Sequence, residues 1–311
     1  MFGNPVFLSL SNGQLVIQHP SSLKEKADRY AYKADDDVQR RPIEDIGVLV
    51  LDHKQITLTS GLLSALIENN VAVISCNDSY MPNGLFMPLD TNSVQSERFR
   101  AQIDSSVPLK KQMWQQTVQA KIANQGATLE ICREESFPCM KAWAREVNSG
   151  DTNNLEGRAA AFYWQRFFEG LAGVEGFTRD QFGEQPNSLL NYGYAILRAI
   201  IARALVASGL LPTLGIHHHN KYNAYCLADD IMEPYRPYVD ELVFDIVKRD
   251  GLPEEEKLTT EWKRKLLTIP TIDVVINGER SPLLVAAQQT TASVARCFTG
   301  ESRRIDYPRR V

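Results

Sequence analysis

The apolar residues of this chain change their spacing near residue 93, and that change limits the folds open to it. Before it, they come in short runs rich in β-branched side chains. Val6 to Leu10 and Leu15 to Gln18 flank Ser11-Asn12-Gly13-Gln14, and Asn-Gly between extended runs predicts a hairpin with positive φ at both central residues. Ile46 to Leu51 and Val71 to Ser75 read as buried strands. Between them, Thr59 or Ser60 caps a short amphipathic helix carrying Leu62, Leu63, Leu66 and Ile67. Residues 78–90 read as loop plus a last short strand. Beyond the switch the pattern is helical. Leu109, Met113, Trp114, Val118 and Ile122 form a stripe, with Pro108 at its start, Gly126 just past its end and an exposed Lys- and Gln-bearing face opposite. Leu155 to Leu171, apolar nearly all round, and Leu189 to Ser208 read as buried helices, and the stretch 170–186 between them as a loop. The expected fold class is α+β: an N-terminal β-rich, sandwich-like domain over residues 1–92, then a larger all-α domain over residues 93–311.

Composition narrows the class further. The 311 residues suffice for two domains, and 43% hydrophobic with 23% charged residues fits a globular protein. The net charge of −4 means that local basic patches, not the overall field, would have to hold any nucleic acid. Cys76, Cys132, Cys139, Cys226 and Cys297 are odd in number and contain no C-x-x-C, which argues against a disulfide framework or a Cys-based zinc site and suits a reducing cytoplasm. The N-terminus lacks the pattern of a signal peptide, and no stretch is expected to span a bilayer, since the most apolar one is interrupted by Asn191, Arg198 and Arg203. Nucleotide-binding glycine loops, the zinc-protease helix and the serine elbow are absent.

The chemistry gathers in one stretch. His217-His218-His219 holds three of the five histidines, and Asp229, Asp230 and Glu233 follow it closely. Imidazole and carboxylates in such proximity can bind a divalent cation, which would serve phosphoryl chemistry by stabilising charge on oxygen. Asp230 and Glu233, three apart, share one helix face and need a positive charge between them. Arg236, one turn on, could supply that charge as a plain surface ion pair, so the residues alone leave both readings open. Pro234 and Pro237 predict a kink. Glu156 opens an apolar helix behind Asn153 and Asn154 as candidate caps. It is either a first-turn carboxylate favoured by the helix dipole or an inward group that must be paired or metal-bound. His19 and His53 read as surface or turn residues. Short basic clusters (Lys110-Lys111, Lys248-Arg249, Lys263-Arg264-Lys265, Arg303-Arg304, Arg309-Arg310) share the helical part with Tyr163, Trp164, Tyr192, Tyr222 and Tyr225. That mixture suits a groove for phosphates and unpaired bases.

Three stretches in this order resemble a known family. Leu155-Glu156-Gly157-Arg158-Ala159-Ala160 with Tyr163-Trp164, then Pro212-Thr213-Leu214-Gly215-Ile216-His217-His218, then Leu227 to Pro237 resemble the metal motifs of the CRISPR-associated integrase, the Cas-one family. Asn187 to Tyr194 and the Ser60-Gly61-Leu62-Leu63 helix fit as well, and the wording around the histidines resembles type II versions. The resemblance implies a β-domain that dimerises and a helical catalytic domain with a DNA-binding surface. It implies Glu156, His218 and Glu233 as catalytic ligands of Mg²⁺ or Mn²⁺, with His217 and His219 as neighbours that blur the histidine assignment. Asp230, Tyr163, Asn191 and Arg236 would be auxiliary. The implied activity, in a bacterial cytoplasm, is insertion of DNA fragments into a CRISPR array by 3′-hydroxyl attack on repeat phosphodiesters. The implied partners are duplex DNA with single-stranded 3′ ends, repeat DNA, a second copy of the chain and a small ferredoxin-like protein. Two rival expectations are a stand-alone metal-dependent nuclease or phosphoesterase, and a DNA-binding subunit without catalysis.

Overall fold

The Asn12-Gly13 turn sets the first hairpin, with φ of 50° and 72° at its two central residues. The structure, a computed structural model, describes residues 1–19, 38–89, 92–171, 173–255 and 257–310. The chain divides into two compact units, Met1–Leu89 and Asp90–Val311.

In the first unit, β1 (Val6–Ser11) pairs antiparallel with β2 (Gln14–Gln18), with Ser11 opposite Gln14 beside the turn. β3 (Val38–Pro42) and β5 (Ile56–Leu58) complete a four-stranded sheet in the order β3-β2-β1-β5. β4 (Val48–Leu51), β6 (Ala72–Cys76) and β7 (Pro82–Phe86) form a second sheet, in which β4 and β6 are parallel. The parallel pair needs a crossover, and α1 (Ser60–Glu68) supplies it, capped by Thr59 Oγ1 accepting from Leu62 N at 3.3 Å. Leu62 and Leu66 pack with Val6, Leu8, Leu49 and Val73 in one core, so both sheets bury a face against the same apolar cluster.

The second unit is built from α2 (Gln95–Ile103), α3 (Val107–Arg133), α4 (Pro138–Glu146), α5 (Leu155–Phe167), α6 (Asn187–Ala207), α7 (Cys226–Met232), α8 (Arg236–Asp250), α9 (Thr260–Leu266) and α10 (Leu283–Thr299). It also carries a two-stranded hairpin, β8 (Asp273–Ile276) with β9 (Glu279–Pro282), beyond the all-helical expectation. α3 packs on α4, α5 and α8. Gly126 does not follow α3 but lies inside it: the helix continues to Arg133 and ends at Glu134 in the left-handed region. The glycine is there for packing, since a Cβ would stand 2.8 Å from the Cβ of Met140 on α4. α5 stops at Phe167, four residues short of expectation, and only Leu155, Ala159, Tyr163 and Phe167 are buried along it, a stripe rather than a whole circumference. α6 is long and apolar enough to cross a bilayer, contrary to expectation, because its few polar residues do not break the apolar run. It is 78% buried over that window, as a central core helix is.

A buried carboxylate ties three of these helices. Asp240 on α8 accepts a hydrogen bond from Tyr163 of α5 at 3.0 Å and another from Tyr194 of α6. Burial pushes the Asp240 carboxyl up to about 6, although both hydroxyls and Arg236 oppose the shift. Its folded-state value therefore lies above its ordinary one. The stability it contributes is complete below about pH 4 and is lost as pH rises through about 6.

Two outcomes follow from this packing. Gly126→Ala gains helix propensity but strikes Met140, so urea unfolding should show a net loss of about 1–2 kcal/mol. Asp240→Asn removes the titration, so its stability should rise relative to the parent by on the order of 2 kcal/mol between pH 4 and pH 7. An unchanged difference across that range, measured by urea midpoints at both ends, would refute the assignment.

Candidate metal and phosphate centre

The residues singled out from the sequence come from three separated segments, and a residue not singled out joins them. Lys121 of α3 places its Nζ 2.6 Å from Glu156 Oε1 and 2.6 Å from Glu233 Oε2. The Glu156 contact is a well-directed hydrogen bond. The Glu233 contact is equally close but off the hydrogen-bond direction, so that buried oxygen has no directed donor. The other Glu233 oxygen accepts from Arg236 Nη1 at 2.6 Å.

Local sequence explains each placement. Lys121 shares the buried stripe of α3 with Trp114, Thr117, Val118 and Gln125, and its side chain is only 7% exposed. Glu156 is held by the helix start, where Asp151 accepts from Leu155 N at 2.9 Å and from Glu156 N at 3.0 Å. Asp151 is thus the cap in place of the Asn pair. Asn154 stands in the left-handed region without a side-chain cap bond, and Asn153 bonds Glu146 O at 2.9 Å. The predicted kink at Pro234 is a tight 3₁₀ turn over Glu233–Tyr235 joining α7 to α8. Arg236 answers Glu233 as the plain reading held, but the pair is not a surface one: the Glu233 side chain is 7% exposed and that of Arg236 27%.

Asp230 and Glu233 do not share a cation, contrary to the same-face expectation, because the turn sends them to different partners. Asp230 is fully buried beneath the histidine segment. Its Oδ2 accepts from Ile216 N at 2.7 Å and His217 N at 3.0 Å, and its Oδ1 accepts from His218 N at 3.3 Å and lies 2.5 Å from His218 Nδ1. Gly215 permits this wrap, since a Cβ there would stand 2.4 Å from His218 O and 2.8 Å from Asp230 Oδ2. With Nδ1 committed to Asp230, Nε2 is the His218 nitrogen left for a ligand, the arrangement in which a carboxylate orients a metal-binding imidazole. His217 stacks flat on Trp114, with centroids 4.1 Å apart, and His219 is exposed.

The electrostatics match the geometry. Burial works against the Glu233 anion, but Arg236 and Lys121 outweigh it and hold its carboxyl at about 2. Burial also opposes the Lys121 cation, and the charges of Glu233 and Glu156 overcome that and raise its pKa. The hydrogen bond to Asp230 raises the pKa of His218. Among the described residues, no three His, Cys, Asp or Glu side chains form a ready-made metal cage. The donor chemistry nonetheless fits a hard divalent ion: a buried carboxylate (Glu233) and a half-buried one (Glu156) converge on one cation, Glu233 keeps an oxygen without a directed donor, and an imidazole is already oriented beside its own carboxylate.

Other expected residues sit elsewhere. Tyr163 is fully buried on Asp240. Asn191 accepts from Arg179 at 2.7 Å and donates to Gln181 O, which ties it to the loop before α6. Tyr192 is also buried, so neither it nor Tyr163 offers a face to a base, whereas Tyr222 is 84% exposed. Several basic clusters are spent on ion pairs, among them Arg249 and Lys265 with Asp250 and Arg310 with Glu241. Lys141, Arg145, Arg304, Arg309 and Arg310 nevertheless line a cleft of about 630 Å³ between α3, α4 and the C-terminal segment.

Comparison with known proteins agrees with this fold. The family profile described as CRISPR associated protein Cas1 matches residues 15–277. The CRISPR-associated endonuclease Cas1 of Neisseria meningitidis serogroup C (strain 8013) is 34% identical over 280 residues, 90% of each chain. A casposase bound to integration product shares the fold at TM-score 0.78 and 20% identity, over 98% of this chain and 91% of that one. A chain of a Cas6-RT-Cas1–Cas2 complex shares it at TM-score 0.69 and 20% identity, over 97% of this chain and 34% of that one. With a profile spanning most of its length and a relative of this identity matched nearly end to end, the chain belongs to the Cas1 family of CRISPR-associated endonucleases.

Proposed function

We propose that this chain is a divalent-metal-dependent DNA integrase of CRISPR spacer acquisition. The observation that carries the reading is the convergence of Glu156 and Glu233, from different helices, on one cation; His218, oriented by Asp230, is the candidate third donor. Glu156, Glu233 and His218 Nε2 would hold Mg²⁺ or Mn²⁺. When bound, such an ion supplies positive charge to a backbone phosphate and lowers the pKa of an attacking hydroxyl.

The chain's own residues do the rest. Asp230 keeps the His218 proton on Nδ1, so Nε2 presents a lone pair. Arg236 and Lys121 keep Glu233 ionised despite burial. The cleft holding Arg145, Arg304 and Arg309 offers positive charge to a DNA backbone. The incoming 3′-hydroxyl displaces a repeat 3′-oxygen at phosphorus, so one phosphodiester replaces another and no nucleotide is consumed. The casposase and Cas1–Cas2 neighbours support DNA joining and a Cas2-type partner. A ferredoxin-like form of that partner and a second copy of this chain belong to the same reading.

Strand transfer of a 3′-hydroxyl fragment into a repeat duplex, with the small partner present, tests the reading. Glu156→Gln, Glu233→Gln and His218→Ala should each lower product by at least on the order of a hundredfold. Glu156→Gln should melt like the parent, whereas Glu233→Gln should melt lower because it leaves Lys121 and Arg236 undercompensated in a buried setting. Parental strand transfer by Glu233→Gln would sink the assignment. Cleavage without joined product, unaffected by the partner, would favour a stand-alone nuclease.

A further inference from the structure

The charges around Glu233 cancel within the cluster itself. Glu156 and Glu233 face Lys121 and Arg236, two anions against two cations, joined by three contacts of 2.6 Å. Asp230 adds a carboxylate nearby, but three backbone amides and the His218 ring already occupy it. The side chains of Lys121 and Glu233 are each 7% exposed, so solvent screens their charges little. Charge–charge energies in such a setting are several times those in water. A divalent ion entering beside the Lys121 ammonium adds positive charge to a balanced cluster, and a phosphodiester brings the anion that restores the balance.

We propose, resting on the metal-site reading above, that Lys121 is a built-in counter-ion that makes divalent-ion binding conditional on DNA. Its ammonium holds Glu156 and Glu233 together before substrate arrives and competes with the ion for both. The site alone therefore binds the ion weakly and takes ion and phosphate backbone together. Linkage makes the effect mutual: DNA tightens the ion by the factor by which the ion tightens DNA. Lys121 acts here through the two carboxylates, as a positioning residue.

The test is Mn²⁺ binding to the full chain, followed by the paramagnetic resonance of free Mn²⁺, with and without a repeat-sequence duplex. Glu156→Gln with the same DNA sets the background of ions held by DNA alone. In the parent protein, DNA should tighten Mn²⁺ by at least about tenfold. Lys121→Met should bind Mn²⁺ about tenfold more tightly than the parent without DNA and lose most of the DNA dependence. Lys121→Gln and thermal melts control for folding, and if neither variant folds the parent's DNA dependence still decides. Tight binding by the parent without DNA, lost in Glu156→Gln, would overturn the counter-ion role and leave the metal site standing. Absence of Mn²⁺ binding above background in every protein, with or without DNA, would overturn the metal-site reading and this inference with it.

Discussion

Three elements remote in sequence meet at the Lys121 ammonium: the middle of α3, the first turn of α5 and the turn after α7. Each brings a charge that would be costly to bury alone. Buried ion pairs seldom add net stability, because desolvation consumes most of the attraction. This one instead fixes position. Lys121 lies on a stripe that also carries Trp114, and Trp114 receives the His217 ring, so α3 braces both the acidic centre and the histidine segment. Removing the Glu233 charge leaves both Lys121 and Arg236 undercompensated, which couples the integrity of the centre to that one carboxylate.

Asp230 performs a different task with the same chemistry. It accepts from three consecutive backbone amides, those of Ile216, His217 and His218, and so shapes the histidine segment as a ligand shapes a loop. The ring of His218 is then oriented by the group that folds its backbone. Gly215 is part of the same device, since any side chain there meets the wrap.

Much of this is legible in the sequence. The Asn12-Gly13 hairpin, the Thr59-capped helix and the long helix from Pro108 onward follow from turn chemistry, capping and period. Glu156, His218 and Glu233 follow from motif resemblance, and the structure sets Glu156 and Glu233 on one cation and the His218 ring on Asp230. Lys121 is not legible in this way, because a lysine among glutamines reads as solvated surface. The signal was its phase: it lies at helical spacing from Thr117 and Gln125, on the buried side. Gly126 was misplaced because a glycine near the end of an apolar stripe resembles a stop, and only the Met140 side chain across the helix pair shows why it belongs inside. Asp151 went unseen because its capping reaches four and five residues ahead through a turn with positive φ at Gly150 and Asp151, beyond the usual cap register.

The 3₁₀ turn at Glu233–Tyr235 has a consequence for how such a chain can drift. A helix advances about 100° per residue, so inserting or deleting one residue between Asp230 and Arg236 would swing one partner away from the other two. The loop between α5 and α6 carries no such phase relation to Glu233. Length variation should therefore accumulate there, while the seven positions from Asp230 to Arg236 behave as a fixed ruler whose graduations matter as much as the letters written on them.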